Sequence, residues 1–274
     1  VTMTTKKPAK KAKTTASAKS ARATTPKTAT PKTKKTPKTT ATTKPRRATK
    51  SKRAPLSRDT VLVAAMAMAD AGGLAALSMR SLAGHLRVEA MSLYNHVADK
   101  EAILDGLVEL VAGEVTVPVV GGDWRHEMRV RAHSLHEALM RHPWAAVLFV
   151  SRVSVGPNML RLIDASVGCL HEAGFSWPMA DHAWCAIDAH VHGFTLQRLN
   201  FPLQPEEYAA AAAQFLPLIP ADTYPHMRAL SEEIIARRHD GLQHLDLGLD
   251  LLLDGFEAIR LAELTSSTFP PGEG

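Results

Sequence analysis

Cysteine is scarce in this chain: 274 residues hold two, Cys169 and Cys185. Both stand in apolar, helix-patterned surroundings, which argues against a disulfide-framed scaffold and predicts buried, reduced core residues. Long apolar runs are lacking as well. No stretch of 18 or more apolar residues occurs, and the N-terminal segment has no apolar core of a secretory signal. The expectation is a cytoplasmic, nucleoid-associated protein with no membrane partner. Acid is absent from the first 55 residues, which carry 14 Lys and 4 Arg, while lysine nearly vanishes afterwards, Lys100 alone following Lys52. The net charge of +6 therefore divides into +18 on a tail and −12 on the remainder, where 15 basic residues meet 27 acidic ones. Enzyme signatures are missing too. No His-Glu-x-x-His, paired-cysteine or Gly-rich phosphate loop accompanies the 13 histidines. His133 and His136 lie three apart on one helical stretch, and His190 and His192 flank Asp188 on another, so a metal or acid-base site between them is geometrically open. The spacing is not diagnostic. The expectation is no catalytic residue, no metal and no cofactor.

What is present begins with the tail. Residues 1–55 mix Lys, Thr, Ala and Pro with almost no large apolar side chain, so they bury too little surface to offset the entropy of ordering and are expected to be disordered. Thr-Pro-Lys and Pro-Lys-Thr units at Thr25, Thr30 and Thr36 resemble the Lys-rich tails of linker histones. A solubilising arm is one reading. The other is sequence-independent phosphate binding, strongly salt-dependent because each neutralised phosphate releases counterions. Such a segment reaches roughly 40 Å. At Ser57 the pattern changes abruptly to Val61, Leu62, Ala65, Met66 and Ala69 at helical spacing, stopping at Gly72-Gly73.

The stretch Ser78 to Lys100, SMRSLAGHLRVEAMSLYNHVADK, organises the rest. Its apolar positions Leu82, Ala83, Leu86, Val88, Leu93 and Val97 fit two short helices joined by a tight turn. Ser78 suits an N-cap, so the first helix is expected from Met79 to about Leu86, and the second from Glu89 or Ala90 to before His96. With Leu93 and Val97 turned inward, Ala90, Met91, Ser92, Tyr94 and Asn95 remain outside, on a face narrow enough for the major groove of DNA. Asp99 then caps a further helix whose first residue, Lys100, lies beside free N–H groups that attract phosphate. Pattern alone leaves a plain helical hairpin open.

The run LSMRSLAGHLRVEAMSLYNHVADKEAILDGL, with LY-x-HV-x-x-K its most specific part, resembles the DNA-binding domain of the TetR family of bacterial repressors, particularly the tetracycline repressor branch. The resemblance implies that the second short helix reads bases, that Ser78, Met79 and Arg80 lie near backbone and groove, and that Tyr94, His96 and Lys100 hold phosphates. Arg87 departs from the family, which usually has Gly in this turn. If the position needs positive φ, Arg costs about 1–2 kcal/mol.

A fourth helix is expected from Lys100 to about Val115 on Ile103, Leu104, Leu107, Val108 and Val111, and Pro118 to Asp123 reads as a joint. Beyond it helices are expected at Trp124 to Met140, around Trp144 to Val150, at Pro157 to Ala173 and at Pro178 to Leu199. A proline-bearing connection with one short helix at Tyr208 to Phe215 follows, and one last helix from His226 to Leu264. The expected architecture is all-α: a tail at 1–55, a helix-turn-helix domain at 56–117, and a helical ligand-binding and dimerisation domain at 123–265. HPWAAVLFVSR, GPNMLRLIDASVGCLHEAGFS, HVHGFTLQ and DLGLDLLLDGFEAIR resemble the regulatory domain of the same class. The resemblance implies a homodimer through helices 178–200 and 226–264, a palindromic double-stranded DNA operator, and a small-molecule effector lined by His136, Met140, Phe149, Trp184, Asp188 and His192. A metal–tetracycline effector fits poorly. Where tetracycline repressors place a His and a Glu for drug-bound magnesium, this chain has Phe149 and Val150, and Asn200 and Phe201; Ala132 and His136 replace polar drug contacts. The functional expectation is a ligand-responsive repressor, the alternative an architectural DNA-coating protein acting through its tail.

Overall fold

A computed structural model describes residues 55–240 and 244–268, so the expectations for the tail lie outside the described residues. Among the described residues all regular structure is helical.

Helix α1, Arg58–Gly72, starts where the Ser57 hydroxyl accepts the Thr60 N–H at 3.2 Å and buries Val61, Leu62, Ala65 and Ala69. It ends as Gly73 turns to φ 67 and returns its N–H to the Ala69 carbonyl. Helix α2, Met79–Leu86, opens on a reciprocal cap: the Ser81 N–H reaches Ser78 Oγ at 3.1 Å, and the Ser78 N–H reaches Ser81 Oγ at 2.9 Å. Arg87 closes it at φ 54, ψ 46, so the left-handed strain expected of a non-glycine residue here is present. Helix α3, Ala90–Leu93, is a single turn that buries Leu93. Helix α4, Lys100–Ala112, is capped by Asp99, whose Oδ1 accepts the Ala102 N–H at 2.8 Å. Gly106 sits where α4 crosses α1: a Cβ there would come within 2.6 Å of Leu62 Cδ2, so a larger residue would have to displace that buried side chain.

Helix α4 also packs on α5, Trp124–Arg141, α6, Ala145–Ser151, and α7, Pro157–Glu172, all with buried apolar faces. The longest interior helix, α8, Trp177–Asn200, lies against α5, α6 and α7. Trp124 meets Phe175 edge to face at 5.0 Å between centroids. Helices α9, Tyr208–Phe215, and α10, Pro225–Ile235, pack mainly on each other.

The single last helix expected over 226–264 is two. Helix α10 ends at Ile235, Arg237 takes φ 56, the Arg238 N–H returns to the Glu233 carbonyl at 3.0 Å, and α11 begins only at Leu245 and runs to Thr268. The segment ARRHDG offers almost nothing apolar to bury and carries an Asp-Gly turn signal, so the helical pattern has no face to continue on. Leu245, Leu249 and Leu253 of α11 are buried against the interior, and Gly248 lets α11 approach His190 of α8, where a Cβ would clash at 2.3 Å. Leu247, Leu251, Leu261 and Leu264 of the same helix are left exposed within this single chain.

Candidate nucleic-acid interface and interior ligand site

The outer side of α2 and α3 is built over Leu82, Leu93 and Val97, all buried. Because those three turn inward, Met91 and Tyr94 are forced out, 73% and 47% exposed. Arg80, Asn95 and Lys100 are exposed beside them, as is Ser78, which spends its hydroxyl on the cap. Met79, Ala90, Ser92 and His96 are half-buried, so they present edges rather than whole side chains. Lys100 stands at the first turn of α4, where unpaired backbone N–H groups and the helix dipole favour an anion. The arrangement offers one convex strip, a single helical turn wide, with cationic and hydroxyl groups at its margins.

Polar contacts tie these helices to those that follow. Glu109 of α4 caps α7 from outside: its carboxylate accepts the N–H groups of Asn158 and, at 3.2 Å, Met159. Gly156 precedes α7 because any Cβ there would strike Glu109. Arg152, after α6, donates to Glu101 at 2.7 Å and Asp105 at 2.8 Å, both on α4, and these bonds raise its pKa further. His142 is nearly buried between Asp70 of α1, 2.7 Å from its Nδ1, and Glu114, 3.1 Å from its Nε2; Trp144 Nε1 donates to the same Asp70 oxygen.

Inside the bundle, the six residues expected around an effector are found on α5, α6 and α8. His136 Nδ1 lies 2.8 Å from Thr195 Oγ1, whose proton is already given to the Val191 carbonyl. The histidine must therefore donate from Nδ1. Its pKa is lowered, chiefly by burial and then by nearby His133. Phe149 faces His192 at 6.0 Å between ring centroids. Burial also lowers the pKa of His192, against the opposing pull of Asp188. Trp184 is half-buried, while Met140 leans into solvent. Asp188 is engaged by a residue the sequence reading missed. Arg131 of α5, 1% exposed, grips it through two bonds of 2.6 and 3.0 Å. The signal was available: Arg131 falls between Met128 and Leu135 on the inward stripe of α5.

The four histidines considered for a metal go separate ways: His133 bonds Asp246 at 2.7 Å, His190 bonds the Leu245 carbonyl, His136 bonds Thr195, and His192 faces the Phe149 ring. Among the described residues no three His, Cys, Asp or Glu stand in a metal-binding arrangement. Cys169 is buried and its thiol is pushed up to about 11, mainly by burial. Cys185 is exposed, contrary to the expectation of burial, because its position on α8 faces away from the other helices. An open cleft of about 330 Å³ lies on the outer face of α5 between Thr116, His126, Arg129 and Glu137, and none of the six expected residues lines it.

The family described as "Tetracyclin repressor-like, C-terminal domain" matches residues 118–260. An HTH-type transcriptional regulator of Saccharopolyspora erythraea is 35% identical over 205 residues, 74% of this chain and 85% of that one. Tetracycline repressor protein class D of Escherichia coli is 31% identical over 205 residues, covering 74% of this chain and 89% of the repressor. Among solved structures, the Streptomyces coelicolor TetR family protein ActR in complex with actinorhodin is similar at a TM-score of 0.65 and 29% identity, over 77% of this chain and 97% of that one.

Proposed function

We propose, from the premise that this chain belongs to the TetR family of transcriptional regulators, that it is a repressor which leaves a palindromic DNA operator when a small-molecule effector binds among its interior helices. The observation that carries this reading is the outward strip of α3: Met91 and Tyr94 project from a one-turn helix whose only buried residue is Leu93. In this reading residues 56–117 are the DNA-binding domain. Ala90, Met91, Ser92 and Asn95 meet base edges, while Ser78, Met79, Arg80, Tyr94, His96 and Lys100 hold the backbone. Residues 123–265 are the ligand-binding and dimerisation domain, with the effector among His136, Phe149, Trp184, Asp188 and His192 and with Met140 at the rim.

A homodimer follows from symmetry and from surface chemistry. One reading helix spans only a few base pairs, and two held about 34–36 Å apart cover a palindrome. The exposed leucines of α11, alongside the exposed small residues Cys185, Ala189 and Gly193 of α8, form an apolar face suited to a second copy. Effector binding acts through α4, because Glu109 and the Arg152 pairs bind that helix to α7 and to the end of α6. A ligand that favours a different packing of the interior thereby changes the distance between reading helices, to the extent of its differential affinity. The basic segment 1–55 adds sequence-independent, nucleoid-associated binding.

Gel shifts in rising salt test the assignment. Asn95→Ala lowers the preference for operator over random DNA, Tyr94→Ala weakens binding to both alike, and removal of residues 1–52 flattens the salt dependence while preserving that preference. If removing the tail erased the preference and Asn95→Ala left it intact, or if footprinting showed uniform coating in place of one protected palindrome, the DNA-coating reading would replace this one.

A further inference from the structure

The outward side of α3 has a chemistry of its own. Between Glu89 and His96 the chain carries no Arg or Lys, so the usual readers of guanine stand off the strip, Arg80 in the first turn of α2 and Arg87 at its C-cap. What the strip presents is a thioether, a methyl, a hydroxyl and an amide. Met91 and Asn95 are exposed, while Ala90 and Ser92 show edges only. The Val97 N–H returns to the Leu93 carbonyl at 3.0 Å, so the helical path of α3 runs on through Asn95. Met91 and Asn95, four residues apart on that path, therefore share a face about 6 Å apart along the axis, close to two base-pair steps of roughly 3.4 Å. The core underneath holds this spacing, because Leu93 between them is fully buried. At the margin, exposed Glu89 can accept from a cytosine amino group, so a G·C pair fits at that edge and not in the middle.

In the major groove an apolar side chain meets the C5-methyl of thymine, and a carboxamide pairs with N6 and N7 of adenine. Over a guanine, Met91 and Ala90 would cover the N7 and O6 acceptors without pairing them, which costs free energy. We infer that α3 selects A·T pairs: Met91, with Ala90 beside it, packs on a thymine methyl, and Asn95 pairs with an adenine roughly two steps along. Ser92 bonds to either kind of pair and adds no preference. The inference rests on the reading of this chain as an operator-binding repressor and names the bases that its reading helix selects in each half-site.

The test uses the full chain and a pool of random duplexes, enriched by repeated gel shift against competitor DNA. Each enriched half-site is expected to hold a thymine and, roughly two steps from it, an adenine. The enriched duplex is then compared with a copy carrying deoxyuridine for thymidine in both half-sites, which deletes only the methyl groups. Loss of the methyl under Met91 is expected to weaken binding roughly three- to fourfold per half-site. In Met91→Ala, a change outside the core, the ratio of the two affinities is expected to fall to about twofold or less. Enrichment repeated with Asn95→Ala is expected to lose the adenine and keep the thymine. A G·C pair at the positions these variants affect, an unchanged affinity when the methyls are removed, a deoxyuridine penalty as large in Met91→Ala as in the parent chain, or an adenine retained by Asn95→Ala overturns the inference. Each of these leaves the repressor reading standing so long as one palindrome is enriched. Enrichment of no sequence sinks the repressor reading, and the inference goes with it.

Discussion

The helices α1–α4 and the helices α5–α11 are held in place by different means. The first group is set by neighbours in sequence. Ser57, Ser78 with Ser81, and Asp99 each cap a helix within three residues of themselves, and Gly73 and Arg87 end helices by turning left-handed. The second group also has a local cap, Asp123 on α5, but adds partners far along the chain: Arg131 on Asp188, Glu109 of α4 on the start of α7, and Arg260 of α11, whose guanidinium donates to the Ala173 carbonyl at 3.0 Å. On the function proposed above, a strip that meets the same operator each time is well served by local, stiff determinants. The second group's polar links specify which helix faces meet across an apolar core that runs through both groups.

The sharpest way to break this contrast is Arg131→Met. It strands Asp188 and is expected to cost about 3 kcal/mol in urea unfolding, toward the lower end for a broken buried pair because Asp188 is partly exposed. Adding Asp188→Leu should recover most of the loss. If the double variant were as unstable as the single one, the pair would be a general packing element and not a specific link. Next, Glu109→Ala removes an external cap from α7. It should lower stability by about 1 kcal/mol and raise amide exchange in residues 157–160. Unchanged exchange there would mean that the cap matters little in solution.

A comparable change of opposite sign, and slightly smaller, is expected within the first group. Arg87→Gly relieves a left-handed non-glycine residue and should raise the melting temperature, by an equivalent of just under about 1 kcal/mol once the added freedom of the unfolded chain is counted. A lowered melting temperature would show that Arg87 makes contacts that outweigh its strain. The smallest expected effect is with pH. His192 takes a proton near its ordinary 6.5 when unfolded and only at lower pH when folded, because burial disfavours the charged ring. The unfolded chain thus binds more protons in that window, and stability falls as pH drops from 7 through 6. The fall should be shallower in His192→Gln; a steeper fall in that variant would place the titrating group elsewhere.

Much of this was legible in the order of residues. The inward set Leu82, Leu93 and Val97 fixes which side of α3 faces out, and the period-four leucines at 245, 249 and 253 fix the inner face of α11. The break between α10 and α11 was missed because the apolar residues on either side fall close to one helical period, and only the barren segment at 236–241 interrupts it. Arg131 was missed because an arginine reads as a surface residue until a carboxylate is known to face it. Cys185 was misplaced because α8 carries small residues on both its inner and its outer side, so its periodicity does not say which side is wet.

By itself the sequence determined the helical content, the positions of the caps, the turn strained at Arg87 and the side chains left outward on α3, because each is settled within a turn or two of helix. The tertiary structure decided what no local pattern holds: that Glu109 serves a helix nearly fifty residues away, that His142 lies between Asp70 and Glu114, and that Arg131 meets Asp188 with its Nε–H left unpaired. Those depend on which helices touch. That choice is made by the fit of whole faces distant along the chain, where one polar atom's partner is fixed only after the helices have packed.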